Sequence, residues 1–151
     1  MSMSMEFDGL DELIDALNAS AASYPDIAEN KLNMVSLKFK SRVIKITKNA
    51  VDTESGGRLI TGYKLSAIRG YGINMQRDFY GRAPHFHLIE NGHELVIPKY
   101  RKGKPLKNGG QNIGFVPGYM IVAQARKEFE LKMPGYMREV VDEVFRKGGM
   151  D

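Results

Sequence analysis

Apolar residues recur with helical spacing at both ends of the chain and with alternating spacing in its middle. Leu10, Leu13, Ile14 and Leu17 share one face of a short helix predicted over about 9–20, with Asp8 as its cap. The acidic residues near its start suit the positive end of a helix dipole. Pro25 stands as the first-turn proline of a second helix, predicted over about 25–50. Along it Ala28, Leu32, Val35, Phe39, Val43, Ile46 and Ala50 are separated by 4, 3, 4, 4, 3 and 4 residues. That spacing follows the helical repeat and predicts a long helix packed along one face, with basic residues on the remaining surface.

Residues 49–57 break the pattern. Leu59, Thr61, Tyr63, Leu65, Ala67 and Arg69 then alternate, which predicts a strand, and Gly70 and Gly72 suggest a turn. Ile73, Met75, Arg77 and Phe79 alternate with polar neighbours and predict a second strand. Phe86, Leu88 and Ile89 belong to a third strand or a short helical turn, and Leu95, Val96 and Ile97 to a further short strand. Residues 98–114 hold four glycines, two prolines and five basic residues, with too few apolar positions to pack. They read as a flexible basic arm or hairpin. Ile113, Phe115 and Val116 re-enter the fold before Pro117 and Gly118. Val122, Ala125, Phe129 and Met133 form a helical stripe that Pro134 is expected to break. Met137, Val140, Val141, Val144 and Phe145 form another, ended by Gly148 and Gly149.

Strands clustered between helices predict an α+β fold. The expected architecture is a small antiparallel β-sheet packed by a long N-terminal helix and C-terminal helices, with a long basic loop. The length of 151 residues fits a single domain, 1–151, in which residues 1–8 are expected to fray. A chain of this size buries roughly 68–70% of its unfolded surface, enough for a core without staples. There is no cysteine, which excludes disulfides, thiolate metal sites and cysteine nucleophiles. No apolar run approaches the roughly 18 residues of a membrane span. The first residues show no signal-peptide pattern, so folding in a cytoplasm is expected.

A net charge of +4 does not by itself identify a polyanionic partner, but its distribution is uneven. Glu6, Asp8, Asp11, Glu12 and Asp15 precede the first basic residue, Lys31. Lys38, Lys40, Arg42, Lys45 and Lys48 form one basic stretch, and Lys99, Arg101, Lys102, Lys104 and Lys107 a second. Acidic and basic regions can pair within one fold or across subunits, where opposite patches set register. The second cluster is the candidate contact with a partner protein or with double-stranded DNA. Few aromatic residues accompany the bases, which disfavours a single-strand binding module.

All three histidines lie in one short run, and His85, His87, Glu90 and His93 are the residues a metal-dependent enzyme or metal-binding protein would use. The HxH-then-Glu order is similar to the metal motif of cupin barrels, but two residues between His87 and Glu90 and too few strands fit it poorly. Asn91-Gly92 is a turn dipeptide, which offers Glu90 and His93 the simpler role of flanking a turn. No phosphate loop, nucleophile elbow or acid–base–nucleophile set is present, so no catalytic residue and no cofactor are assigned.

Three separated segments carry a family resemblance. Gly9-Leu10-Asp11-Glu12-Leu13 opens the first helical region. Val51-Asp52-Thr53, followed by Gly57-Arg58-Leu59, lies at the end of the long helix. His87-Leu88-Ile89-Glu90-Asn91-Gly92-His93 is followed, after a Gly- and Lys-rich loop, by Gly114-Phe115-Val116-Pro117-Gly118 and a helix. In this order the chain resembles the tail-completion, or head–tail joining, proteins of long-tailed bacteriophages, over about 9–147. The family's usual Val-Asp-Thr-Gly-Arg-Leu junction is interrupted here by Glu54, Ser55 and Gly56, expected to lengthen a turn. Many members have Glu-Phe-Gly-Thr where this chain has Glu90-Asn91-Gly92-His93. The resemblance implies structural roles for Asp52, Thr53, Gly57, Arg58, Leu59, Glu90 and Gly92. It further implies a virion protein without catalysis or cofactor. Such a protein would assemble as a ring, commonly of six subunits, between the portal-and-adaptor complex and the tail tube, after folding in the host cytoplasm.

Overall fold

The computed structural model describes residues 9–150; the proposed Asp8 cap and the fraying of residues 1–8 lie outside them. The chain is α+β. Its elements are α1 (Leu10–Ala50), α2 (Thr53–Gly62), β1 (Tyr63–Leu65), a 3-10 turn (Gly72–Asn74), β2 (Phe79–Gly81), α3 (Phe86–Asn91), β3 (Gly92–Val96), β4 (Tyr100–Arg101), β5 (Lys104–Pro105), β6 (Asn112–Pro117) and α4 (Ile121–Lys147). The strands pair as three separate antiparallel two-stranded sheets, β1–β2, β3–β6 and β4–β5, rather than as one small sheet. The chain divides into two compact units, and α1 and α4 each contribute a segment to both.

The first unit comprises residues 9–38, 65–78 and 129–150 of the described chain. Its core is Ile27 of α1 against Val140 and Val144 of α4, with Tyr24 alongside. Lys31 Nζ meets Glu139 Oε2 at 2.7 Å, which holds the Glu139 carboxyl below its usual range. The segment 65–78 folds back on itself through Ser66–Asp78 and Arg69–Gln76 backbone bonds. Arg77 ties it to α1 by donating to Asn33 and, at 3.0 Å, to Ser36 Oγ. Gly148 passes so close to α1 that an added Cβ would sit 1.9 Å from Ser20 Oγ and 2.9 Å from the Ala16 carbonyl.

The second unit comprises residues 39–64 and 79–128. Val43 and Ile46 of α1, Leu59 of α2, Tyr63 of β1, and Ile121 and Ala125 of α4 form its core. Phe79 and Phe86 stack around Tyr63 at centroid distances of 5.4 and 6.0 Å. Thr47, fully buried, donates its hydroxyl proton to the Val43 carbonyl at 2.8 Å. The Tyr63 hydroxyl, 2.8 Å from Thr47 Oγ1, must then be the donor to that oxygen. Burial, the largest cause, pushes the Tyr63 phenol above its usual range, and the nearby Glu90 charge reinforces it. Arg42 pairs with Glu128 through two bonds of 2.7 and 2.6 Å, so part of the first basic stretch is matched within its own unit.

Several expectations are corrected. The two N-terminal helices are one continuous helix through Pro25, and α4 likewise continues through Pro134. An interior proline removes one backbone bond. At Pro134 the residue that loses its donor, Glu130, is exposed, so water can take that donor's place. The strand expected from Leu59 is helix as far as Gly62. Leu59 and Tyr63 are four residues apart, a spacing that puts residues on one face in both strand and helix. The Asp52 side chain decides for the helix by accepting from Glu54 N at 3.1 Å and Ser55 N at 3.0 Å. These charge-accepting bonds hold the Asp52 carboxyl below its usual range. Glu54, Ser55 and Gly56 therefore form the first turn of α2 instead of lengthening a loop. The strand expected over Ile73–Phe79 shrinks to β2 after the 3-10 turn.

In the stripe of α1 from Ala28 onward, Val35, Val43 and Ile46 are buried, Val43 and Ile46 in the second unit's core, while Ala28, Leu32, Phe39 and Ala50 are half-buried. The first turns of α1 are less covered: Leu13, Ile14 and Leu17 are 49%, 45% and 49% exposed.

Candidate assembly arm

Residues 89–92 and 117–123 make one tight junction. Ile89 and Glu90 accept backbone bonds from Tyr119 N at 2.8 Å and Met120 N at 3.1 Å. The residue preceding α4, Met120, has no side-chain acceptor for the free N–H groups of the first helical turn. Glu90 supplies it from α3. Its carboxylate oxygens accept from Val122 N at 3.0 Å and from Ala123 N at 3.0 Å, placing negative charge on the positive end of a long helix. Two glycines allow the close approach. Gly92 has φ +83 and an added Cβ there would lie 2.4 Å from the Val116 carbonyl. At Gly118 a Cβ would lie 2.2 Å from the Glu90 carbonyl.

From this root the antiparallel ribbon β3–β6 departs, pairing His93 with Val116, Glu94 with Phe115 and Leu95 with Gly114. A register shift between Leu95 and Val96 leads to Ile97–Gln111 and Gly110–Ile97 backbone bonds. Beyond it β4 and β5 close on Lys102-Gly103, whose φ values of 53 and 76 are those of a tight hairpin turn with both central residues left-handed. Of the two forms expected for 98–114, a flexible basic arm or a hairpin, the structure has a hairpin at the end of an arm, and the segment's last residues belong to β6.

Every residue from Pro98 to Pro117 is exposed. Tyr100, Ile113 and Phe115 are 66%, 57% and 63% exposed, and Leu95, Val96 and Val116 are also uncovered. The five candidate bases, Lys99, Arg101, Lys102, Lys104 and Lys107, all lie on this arm, and none makes an ion pair among the described residues. A two-stranded ribbon has marginal stability in water, and both its edges present unpaired backbone groups. The arm is thus apolar along its strands and basic towards its tip.

The histidine run takes a different form from a ligand set. His85 precedes α3, His87 and Glu90 lie within it, and His93 is the second residue of β3. Glu90 is engaged with α4, and the buried His93 Nδ1 has no hydrogen-bond partner among the described residues. Among the described residues no three His, Asp or Glu side chains gather around a common point. Of the motif residues, Asp52 caps α2, Leu59 is fully buried, and Arg58 pairs with Glu54 at 3.3 Å on the surface. Gly57 faces open space, and the Thr53 side chain lies outside what the structure describes. Sequence reasoning missed Gly118 and the capping role of Glu90. The Pro117-Gly118 pair signals a turn, but nothing local to Glu90 shows which helix it serves. No protein-family model, curated protein or solved structure matches the chain.

Proposed function

We propose that this chain is a structural subunit of the neck or tail of a long-tailed bacteriophage, of the tail-completion or head–tail joining kind. It assembles with copies of itself and with neighbouring virion proteins, such as an adaptor or the tail tube, and turns over no substrate. The observation that carries the reading is the arm. Residues 98–117 are continuously exposed, bear five bases that make no ion pair among the described residues, flank uncovered Leu95 and Val96, and grow from a root that backbone bonds and two glycines hold in place. An enzyme needs a cleft that gathers reactive groups. Here Glu90, the carboxylate at the root of the arm, is used in capping a helix.

Electron microscopy of particles assembled without this chain tests the proposal. Separate full heads and finished tails are the expected products. Intact joined particles made in its absence would refute it. Neutralising the five arm bases separates two roles of the arm: lost DNA retention with assembly intact places them against DNA, whereas lost assembly places them against protein.

A further inference from the structure

We infer that the arm of one copy of this chain seats on the first turns of α1 of a second copy. The inference deepens the assembly reading and rests on it. The receiving surface is Asp11, Glu12, Leu13, Ile14, Asp15 and Leu17. Its three acids are exposed and make no ion pair among the described residues. Its three apolar side chains follow helical spacing yet remain nearly half exposed. A stripe patterned for burial therefore lies uncovered beside a row of negative charge.

The arm is its complement twice over. It offers Ile113, Phe115 and Val116 for apolar contact. It carries five positive charges in a stretch with no acid between Glu94 and Glu128. Opposite charge at the rim sets register and speeds encounter, while apolar contact supplies most of the adhesion. Each copy owns both surfaces, so one kind of contact covers both in every copy. A nucleic-acid partner would meet the bases but leave the acidic apolar stripe uncovered. The two surfaces differ, so the contact is heterologous: it passes from copy to copy and ends only when the series closes on itself.

Two charge-reversed full-length chains test the pairing. One carries Arg101→Glu, Lys104→Glu and Lys107→Glu; the other carries Asp11→Lys, Glu12→Lys and Asp15→Lys. All six positions are exposed, and circular dichroism confirms folding before sedimentation velocity is run at about 0.1 M salt. The wild-type chain is expected to self-associate, and to do so less at about 1 M salt, where the screening length falls from about 10 to about 3 Å. Each variant alone should dissociate about 100-fold more readily, since like charges now face each other. An equimolar mixture should associate again, because every arm in one variant is opposite in sign to every stripe in the other. A monomeric wild-type chain, a variant that associates as well as wild type, or a mixture that stays apart would overturn the pairing. Particles that need this chain for joining, together with a mixture that stays apart, would sink the pairing alone. A mixture that associates, together with joined particles made without the chain, would sink the virion reading alone.

Discussion

Replacing Glu90 with alanine should loosen α4 from its first turn. The side chain is the acceptor for Val122 N and Ala123 N, and the local residue Met120 cannot substitute for it. Loss of a helix cap costs about 1 kcal/mol. Loss of a negative charge from the positive end of a helix adds about 0.3–1 kcal/mol. Val122 is half-buried, so water satisfies its freed N–H incompletely, and the total comes to about 2 kcal/mol. For a domain of this size each kcal/mol lowers the melting temperature by about 2–4 °C, so Glu90→Ala should melt about 4–8 °C below wild type. Glu90→Gln keeps an acceptor oxygen and loses the charge, and should fall between the two. Thermal unfolding followed by far-ultraviolet circular dichroism at neutral pH measures the series. Amide hydrogen exchange should quicken at Val122 and Ala123 first. Glu90→Ala melting within about 1 °C of wild type, or Glu90→Gln melting below it, would refute the capping account.

The buried hydroxyl pair gives an asymmetric expectation. Thr47→Val leaves the Tyr63 donor without an acceptor and should cost about 1–3 kcal/mol, whereas Tyr63→Phe removes one bond for about 1 kcal/mol; denaturant midpoints would rank them. Gly92→Ala meets both a left-handed φ and the Val116 carbonyl, and should destabilise by about 1–3 kcal/mol or more with the ribbon amides losing exchange protection. Asp52 and Glu139 both have folded-state pKa values below their ordinary ones. Their contribution is therefore complete above the unfolded value, near pH 4, and is lost as pH falls through the folded value. Asp52→Asn keeps a good N-cap residue while removing that titration. It should be somewhat less stable than wild type at neutral pH, where the carboxylate's contribution is lost, and show a shallower further loss of stability below about pH 4 in pH-dependent unfolding.

The long helix was legible because seven apolar positions kept helical spacing from Ala28 to Ala50, and a packed helix face leaves that periodicity in any sequence. The α+β class and the basic arm were legible for similar local reasons, since turn residues, charges and alternation act over a few neighbours. Other features rest on partners distant in the chain. Leu59 and Tyr63 fit a strand and a helix equally well until the Asp52 cap and the core around them select the helix. Pro134 signals a break, yet α4 runs on through it. Glu90 reads as a metal ligand or a turn flank until the fold brings it to the first turn of α4, 32 residues away. Most telling is the first stripe. Leu13, Ile14 and Leu17 encode a face to be covered, but periodicity says nothing about what covers it, and only the tertiary structure shows that no part of the described chain does.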